Sequence, residues 1–184
     1  MNSHTRRLIE TLYAENSDLR EYLIQQGEIS FVASVDKTFN KVLLLAIASY
    51  FEKHITDLLI QFFTIQTNNN QVIMKHIIDK TIERKYFQFF DSSNMSKKSG
   101  INPLIKIFGD DFKKSFDELI KSDKELESGI LQFLELSNKR NELVHENFID
   151  YLLQYSPQEI YVKFTRAVYF VDTLERQLNE HFAP

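Results

Sequence analysis

This chain of 184 residues contains no cysteine and no tryptophan, and only 4 glycines and 3 prolines. Without cysteine it can form neither a disulfide nor a zinc–thiolate site, and it has no cysteine nucleophile. Few glycines and prolines argue against a protein built from many turns and short strands, and favour long helices. The absence of cysteine also fits the reducing cytoplasm, where we expect this protein to reside.

Long hydrophobic runs are also missing. The longest is residues 42–51, which is interrupted by Ser49 and is too short to span a bilayer. The first seven residues lack the apolar core of a signal peptide. We therefore expect a soluble protein that does not contact a membrane.

The apolar content is nevertheless sufficient for a core. Hydrophobic residues make up 43% of the chain, with 16 Phe and 8 Tyr, and this length suits a single domain spanning 1–184. The net charge of −4 does not suggest a general nucleic-acid binder, which usually carries a basic excess. A protein that needs to hold only one or two phosphates can still be acidic overall.

The first half of the chain predicts three helices. A first helical segment ends near Gly27, because glycine is the usual residue just after a helix. Asp36 is a candidate N-cap for a long, almost wholly apolar helix over 36–65. The asparagines at 68–70 should stop this helix, and a third helix is predicted over 71–90.

The second half predicts two short helices, over 103–108 and 110–120, and two long ones. A long amphipathic helix is predicted over 124–148. The last helix starts with Ser156, Pro157 and Glu159, which form a capping box with proline at the first helical position. The chain as a whole is thus predicted to be an all-α bundle of about five main helices.

The helix over 124–148 has an unusual apolar face. Its stripe comprises Ile130, Phe133, Leu134, Val144 and Phe148. Ser137 and Asn141 fall within the stripe, and Arg140 and His145 lie on its two borders. Polar groups on a packing face cost stability unless each finds a partner. They are retained where something is bound or where two copies meet; the alternative is a buried Asn–His hydrogen bond beside a solvent-facing arginine.

The segment Arg140-Asn141-x3-His145 resembles the ribonuclease motif of the HEPN superfamily, an arginine followed by a polar residue and, after a short spacing, by histidine. The order of the helices resembles the RiboL-PSP-HEPN branch. The resemblance implies a HEPN-type up-and-down helical bundle that carries its motif on a late helix. It also implies an endoribonuclease that cuts RNA without a metal or any other cofactor.

The resemblance further implies roles for the motif residues. The ribose 2′-OH attacks the adjacent phosphate and leaves a 2′,3′-cyclic phosphate, while His145 exchanges protons and Arg140 stabilises the phosphorane charge. Asn141 would orient the histidine or bind a phosphate oxygen. Relatives act as dimers, so we expect a homodimer through the motif helix. A role as a toxin or phage-defence effector, with an antitoxin or ATPase partner, would fit this reading.

Two other classes of function stay open. Glu146 follows His145 where many active members have a small residue, so the chain could be a non-catalytic HEPN binding or scaffold module. Such a module would partner a nucleotidyltransferase, an antitoxin or an ATPase. An unrelated helical regulator that binds a protein would be the second alternative.

Several further side chains are candidates for supporting roles. Glu52 lies in an apolar sector of its helix, where it could orient His145 or pair with Arg140, or equally be a rim carboxylate paired with a lysine. Lys97 and Lys98 could hold an RNA backbone, or simply lie in a solvated loop. The other basic doublets, Arg84-Lys85 and Lys113-Lys114, are scattered among acidic neighbours. The remaining histidines lack metal-ligand spacing, so no metal site is expected.

Overall fold

The computed structural model describes residues 2–82 and 86–182. They form seven α-helices: α1 (Asn2–Gln25), α2 (Ile29–Gln66), α3 (Gln71–Ile77), α4 (Asn102–Lys106), α5 (Asp110–Ser122), α6 (Lys124–His145) and α7 (Pro157–His181). A π-helical turn (Ile78–Ile82) and three 3-10 turns (Tyr86–Phe89, Ser92–Asn94 and Lys98–Ile101) complete the regular structure. No strand occurs in these ranges, which confirms the all-α prediction.

The junction of α1 and α2 agrees only partly with the sequence prediction. Gly27 has a φ of 75°, a conformation that glycine adopts without strain, and α1 ends just before it as predicted. The prediction that Asp36 caps α2 is wrong. Because the chain turns within a few residues at Gly27, α2 already begins at Ile29. Asp36 lies inside the helix, where its carboxylate accepts a hydrogen bond from Arg20 Nε at 3.2 Å.

The end of α2 and the start of α3 are set by three asparagines. Asn68 and Asn69 have positive φ values of 48° and 59°, which asparagine tolerates better than most residues. The Asn70 side chain then accepts hydrogen bonds from the backbone N–H groups of Val72 and Ile73, so it is the N-cap of α3.

The predicted helix over 71–90 is not continuous. Helix α3 ends at Ile77 and a π-helical turn follows. Residues 83–85, and with them the doublet Arg84-Lys85, lie outside the described residues. Tyr86 and Phe89 are both buried in a 3-10 turn, because three-residue periodicity places these two rings on the same side.

The start of α7 agrees with the prediction. Glu159 Oε2 accepts from the backbone N–H and the hydroxyl of Ser156, both at 2.8 Å, and Ser156 Oγ accepts from the Glu159 N–H at 3.2 Å. This reciprocal pair is the predicted capping box. Pro157 is the first helical residue, where its missing N–H costs nothing.

The chain divides into two compact units. The first unit comprises Met1–Tyr50 and Leu136–Thr165. In it α1 packs on the start of α7, since the rings of Tyr13 and Tyr161 stack with their centroids 4.0 Å apart. Tyr50, at the end of this unit's part of α2, meets Phe164 edge to face at 5.8 Å.

The second unit comprises Phe51–Glu135 and Arg166–Pro184. Phe133 on α6 lies at its centre, with ring centroids 5.2 Å from Phe51, 5.3 Å from Phe90 and 5.1 Å from Phe170. Helices α6 and α7 approach closely at Gly129, where a Cβ atom would lie 2.6 Å from the Arg166 carbonyl oxygen. Only glycine fits there.

The prediction of a single domain stays a prediction. Among the described helices, none is both long enough and apolar enough to cross a lipid bilayer.

Candidate functional site

Helix α6 carries the Arg-Asn-x3-His segment, and its start is fixed by Asp123. The Asp123 carboxylate accepts from the Leu126 backbone N–H at 2.9 Å and from the Tyr169 hydroxyl at 2.8 Å. These two hydrogen bonds, the backbone one first, hold the pKa of Asp123 below its ordinary value. The helix therefore begins at Lys124, as predicted.

The helix ends at His145, three residues before the predicted end at 148. Asn147 terminates it: its side-chain oxygen accepts from the Ile149 N–H at 3.1 Å, and its carbonyl accepts from Asp150 and Tyr151. Asparagine favours such a local turn over continued helix. His145 is thus the last helical residue, at the start of a turn.

The structure brings Arg140 and Asn141 together. Arg140 is half-buried, and its Nη1 donates to Asn141 Oδ1 at 3.3 Å. The amide oxygen of Asn141 is therefore one of the acceptors of the guanidinium group. This is a different contact from the orientation of His145 that the motif suggested for Asn141.

His145 is exposed at the helix terminus. Its ring makes no hydrogen bond to any of residues 2–82 and 86–182. The alternative of a buried Asn–His pair is therefore wrong. An imidazole that is exposed and unengaged is available to accept or donate a proton.

The apolar stripe predicted for α6 holds only in its first part. Ile130, Phe133 and Leu134 are fully buried, but Val144 is 52% exposed and Phe148 is 39% exposed. Near the end of the helix the buried residue is Leu143. The prediction that Val144 and Phe148 belong to the buried face is therefore wrong: Leu143 takes the buried position in the last turn of α6, and Phe148 lies beyond the end of the helix.

Glu142, between the motif arginine and histidine, forms a hydrogen-bond cluster that the sequence analysis missed. Its carboxylate accepts from Lys139 Nζ, Asn138 Nδ2 and the Tyr151 hydroxyl, each at 2.8 Å. Lys139 contributes most to lowering the pKa of Glu142. Burial, with Glu142 beside it, raises the pKa of Tyr151. The spacing of Asn138, Lys139 and Glu142 was a usable signal, whereas Tyr151 was not predictable.

Two polar residues of α2 were missed as well. Lys41 is buried, and its ammonium group donates to the carbonyl oxygens of Phe148 at 2.5 Å and Ile149 at 3.4 Å. Asn40 is also buried and donates to the carbonyls of Leu153 and Tyr155 at 3.4 and 2.9 Å. Both side chains hold the segment that follows His145. No sequence pattern predicts such hydrogen bonds from a side chain to distant main-chain oxygens.

The chain matches a known protein family over most of its length. The RiboL-PSP-HEPN family profile matches residues 10–180. The chain belongs to the RiboL-PSP-HEPN family. Searches of the curated proteins and of the solved structures found no match.

The other predicted site residues of this HEPN protein lie far in sequence from the Arg-Asn-x3-His segment. Glu52 is half-buried on α2, in the second unit. Lys97 and Lys98 are exposed, and Lys98 forms an ion pair with Glu127 at 2.9 Å. Supporting roles for these three residues stay predictions. Within residues 2–82 and 86–182 no group of three or more histidines and carboxylates could hold a metal ion.

Proposed function

We propose that this HEPN protein is a metal-independent endoribonuclease. The observation that carries the proposal is the last part of α6, where a guanidinium group held by an amide lies five positions before an exposed, unengaged imidazole. Arg140, Asn141 and His145 are the residues we assign to catalysis. RNA cleavage without a metal uses a permanent cation that stabilises the phosphorane charge and a group that exchanges protons with the substrate.

The reaction we assign is an internal transfer. The ribose 2′ oxygen forms a bond to the adjacent phosphorus while the bond from phosphorus to the 5′ oxygen breaks. One proton leaves the 2′-OH and another reaches the departing 5′ oxygen, so the products are a 2′,3′-cyclic phosphate and a 5′-OH. His145 serves one of these proton transfers, a contribution of about 10²- to 10⁴-fold in rate.

Arg140 would stabilise the negative charge that develops on the phosphorane oxygens. Guanidinium stays charged and presents donors in a planar fork that matches two oxygens. Asn141 positions this fork through the 3.3 Å contact, which makes it a positioning residue. Glu52 would assist, and Lys97 and Lys98 would contact the RNA backbone.

The surface beside His145 supports a homodimer. Ile149 is 76% exposed, Leu152 is 72% exposed and Val144 is 52% exposed, and these apolar side chains close in sequence to His145 are the residues we assign to an interface. A second copy is the occupant we assign, because one motif supplies a single histidine and arginine. A two-fold axis near this helix would place two of each together.

A role as a toxin or phage-defence effector in the cytoplasm, restrained by an antitoxin or ATPase partner, follows from the proposed activity. One observation favours a second candidate function, a non-catalytic module that binds such a partner or a nucleotidyltransferase. Glu146 is exposed directly after His145, and its carboxylate would repel an incoming phosphate.

The experiment that separates these functions compares purified wild type, His145→Ala and Arg140→Ala with RNA in excess EDTA. We expect cleavage by the wild type and at least about a 100-fold loss in each variant. His76→Ala is the matched control, since His76 is exposed on α3 and should retain full activity. Equal activity in wild type and His145→Ala, or cleavage that EDTA abolishes, contradicts the proposal.

A further inference from the structure

A basic cleft lies in the second unit, away in sequence from the motif. It has a volume of about 230 Å³. Lys98, Ser99 and Asn102 line it from the last 3-10 turn and the start of α4, and Lys113, Asp117 and Lys121 line it from α5. On α5 the three residues follow a spacing of four, which places them on one face of the helix.

The lining of this cleft carries more positive than negative side chains, whereas the chain as a whole has a negative net charge. Three lysines and one aspartate line the cleft in a protein whose net charge is −4. Lys113 pairs with Asp117, and Lys98 pairs with Glu127 at 2.9 Å. Lys121 forms no ion pair with any described residue. Two of the three ammonium groups are therefore compensated by carboxylates, and the positive charge of Lys121 remains for an anion to pair with.

The turn that carries Lys98 is held in place by its surroundings. Asp91 accepts from the Ser93 hydroxyl, the Asn94 amide and the Ser93 N–H, and these bonds keep its pKa low. The Asp91 N–H donates to the Gly100 carbonyl at 2.9 Å. Gly100 is so closely packed that a Cβ atom would lie 2.7 Å from the Asn94 carbonyl oxygen. The basic cleft is therefore built on a fixed backbone.

We infer that the basic cleft binds the phosphate group of a nucleotide, either free or within an RNA strand. Lysine ammonium groups are common phosphate ligands, and the Ser99 hydroxyl and Asn102 amide add donors that suit phosphate or ribose oxygens. A volume of about 230 Å³ is below that of most pockets for drug-sized ligands. The cleft thus takes the phosphate and its sugar and leaves the base outside. The inference rests in part on the proposed function, in which Lys98 contacts the RNA backbone, and it deepens that function because binding here is measured without cleavage.

The test measures binding calorimetrically to three probes: inorganic phosphate, AMP and a short oligouridylate. The reference protein is His145→Ala, with which the RNA stays intact. The variant carries both His145→Ala and Lys121→Glu. Lys121 is exposed, so this substitution leaves the core alone. Lys75→Glu is the matched control, because Lys75 is exposed on α3 in the same unit.

We expect Lys121→Glu to weaken binding at least about fivefold, and Lys75→Glu to leave it unchanged. For the oligouridylate, the plot of log affinity against log salt concentration should become less steep by roughly 0.7 in Lys121→Glu. If Lys121→Glu weakens the binding of AMP and phosphate alone, the ligand is a free nucleotide. If it weakens the binding of the oligouridylate alone, the ligand is an RNA strand. Unchanged affinity for all three probes, or equal losses in Lys75→Glu, overturns the inference. Cleavage by the wild type is measured separately, so failure of the cleft and failure of the nuclease proposal are distinguishable.

Discussion

At the scale of single residues, the candidate site depends on side chains that hold other side chains. Asn141 holds Arg140, and Glu142 holds Lys139, Asn138 and Tyr151. Arg140, Asn141 and His145 are predicted from their types and spacing, and their role in catalysis stays a proposal. The partners of Glu142 could not all be found, because Tyr151 meets it only after the chain has turned at Asn147.

Glu142 should make stability depend on pH. Its pKa is lowered in the folded protein, so its stabilising contribution is present above its pKa in the unfolded chain, roughly 4.3. The contribution is lost as the pH falls through the folded pKa. We expect Glu142→Gln to lower Tm by about 2–4 °C at pH 7, and this difference from wild type should shrink in acid.

Thermal unfolding followed by circular dichroism between pH 3 and 7 measures this effect. Glu118→Gln is the control, since Glu118 is exposed on α5 and forms no hydrogen bond or ion pair with the described residues. A difference in Tm between wild type and Glu142→Gln that is constant over the whole range would refute the role given to this carboxylate.

At the scale of elements, local signals in the sequence were reliable where a cap or turn decides the outcome. The capping box of Ser156 and Glu159 and the turn at Gly27 were predicted correctly. The prediction of Asp36 as a cap failed because an aspartate can accept from backbone N–H groups at a helix start, whereas this carboxylate accepts from the side chain of Arg20 on α1. Phe148 was misplaced for a similar reason: Asn147 ends α6 before it, and the periodicity of the apolar residues does not predict that turn.

Replacing Gly129 on α6 by alanine should change the stability of the protein in the direction opposite to the usual one. Replacing glycine by alanine inside a helix ordinarily stabilises it by about 1 kcal/mol. Here the added methyl group would meet the Arg166 carbonyl at 2.6 Å, so we expect Gly129→Ala to destabilise the protein by about 1–3 kcal/mol. Urea unfolding measures it, with Ser128→Ala as the neighbouring control. A stabilised Gly129→Ala would show that α6 and α7 are not in close contact.

Lys41 on α2 should govern the order of the segment after His145. Lys41→Met leaves the carbonyls of Phe148 and Ile149 without their donor, at a cost of about 1–3 kcal/mol. We expect faster hydrogen exchange over 147–155 in this variant. Lys37→Met, an exposed lysine one turn earlier, is the control. Unaltered exchange in Lys41→Met would mean that this lysine does not hold the segment.

At the scale of the whole molecule, the fold class and the family follow from the sequence, and the RiboL-PSP-HEPN profile covers nearly all of it. The division into two compact units did not follow, because helices α2, α6 and α7 each run on across the limits of the units. The proposed homodimer belongs to this scale as well, and the interface we assign to it includes Leu152, which no helical pattern singles out.

Homodimer formation is testable through Leu152. We expect Leu152→Glu to convert a dimer into a monomer, because a buried unpaired charge is costly at an interface, and to reduce RNA cleavage at the same time. Multi-angle light scattering at micromolar concentration gives the mass. Val72→Glu is the control, since Val72 is 80% exposed on α3, and it should leave the dimer intact. A wild-type protein that is monomeric under these conditions contradicts the assigned interface.

The central claim is that Arg140 and His145 cut RNA by internal transfer, and the chemistry of the fragment ends tests it most directly. RNA is incubated with the wild type in EDTA and the fragments are identified by mass spectrometry. We predict 2′,3′-cyclic phosphate and 5′-OH ends, which are absent with His145→Ala and present with His76→Ala. Fragments with 3′-OH and 5′-phosphate ends, or cyclic ends that persist at the wild-type rate in His145→Ala, would contradict it.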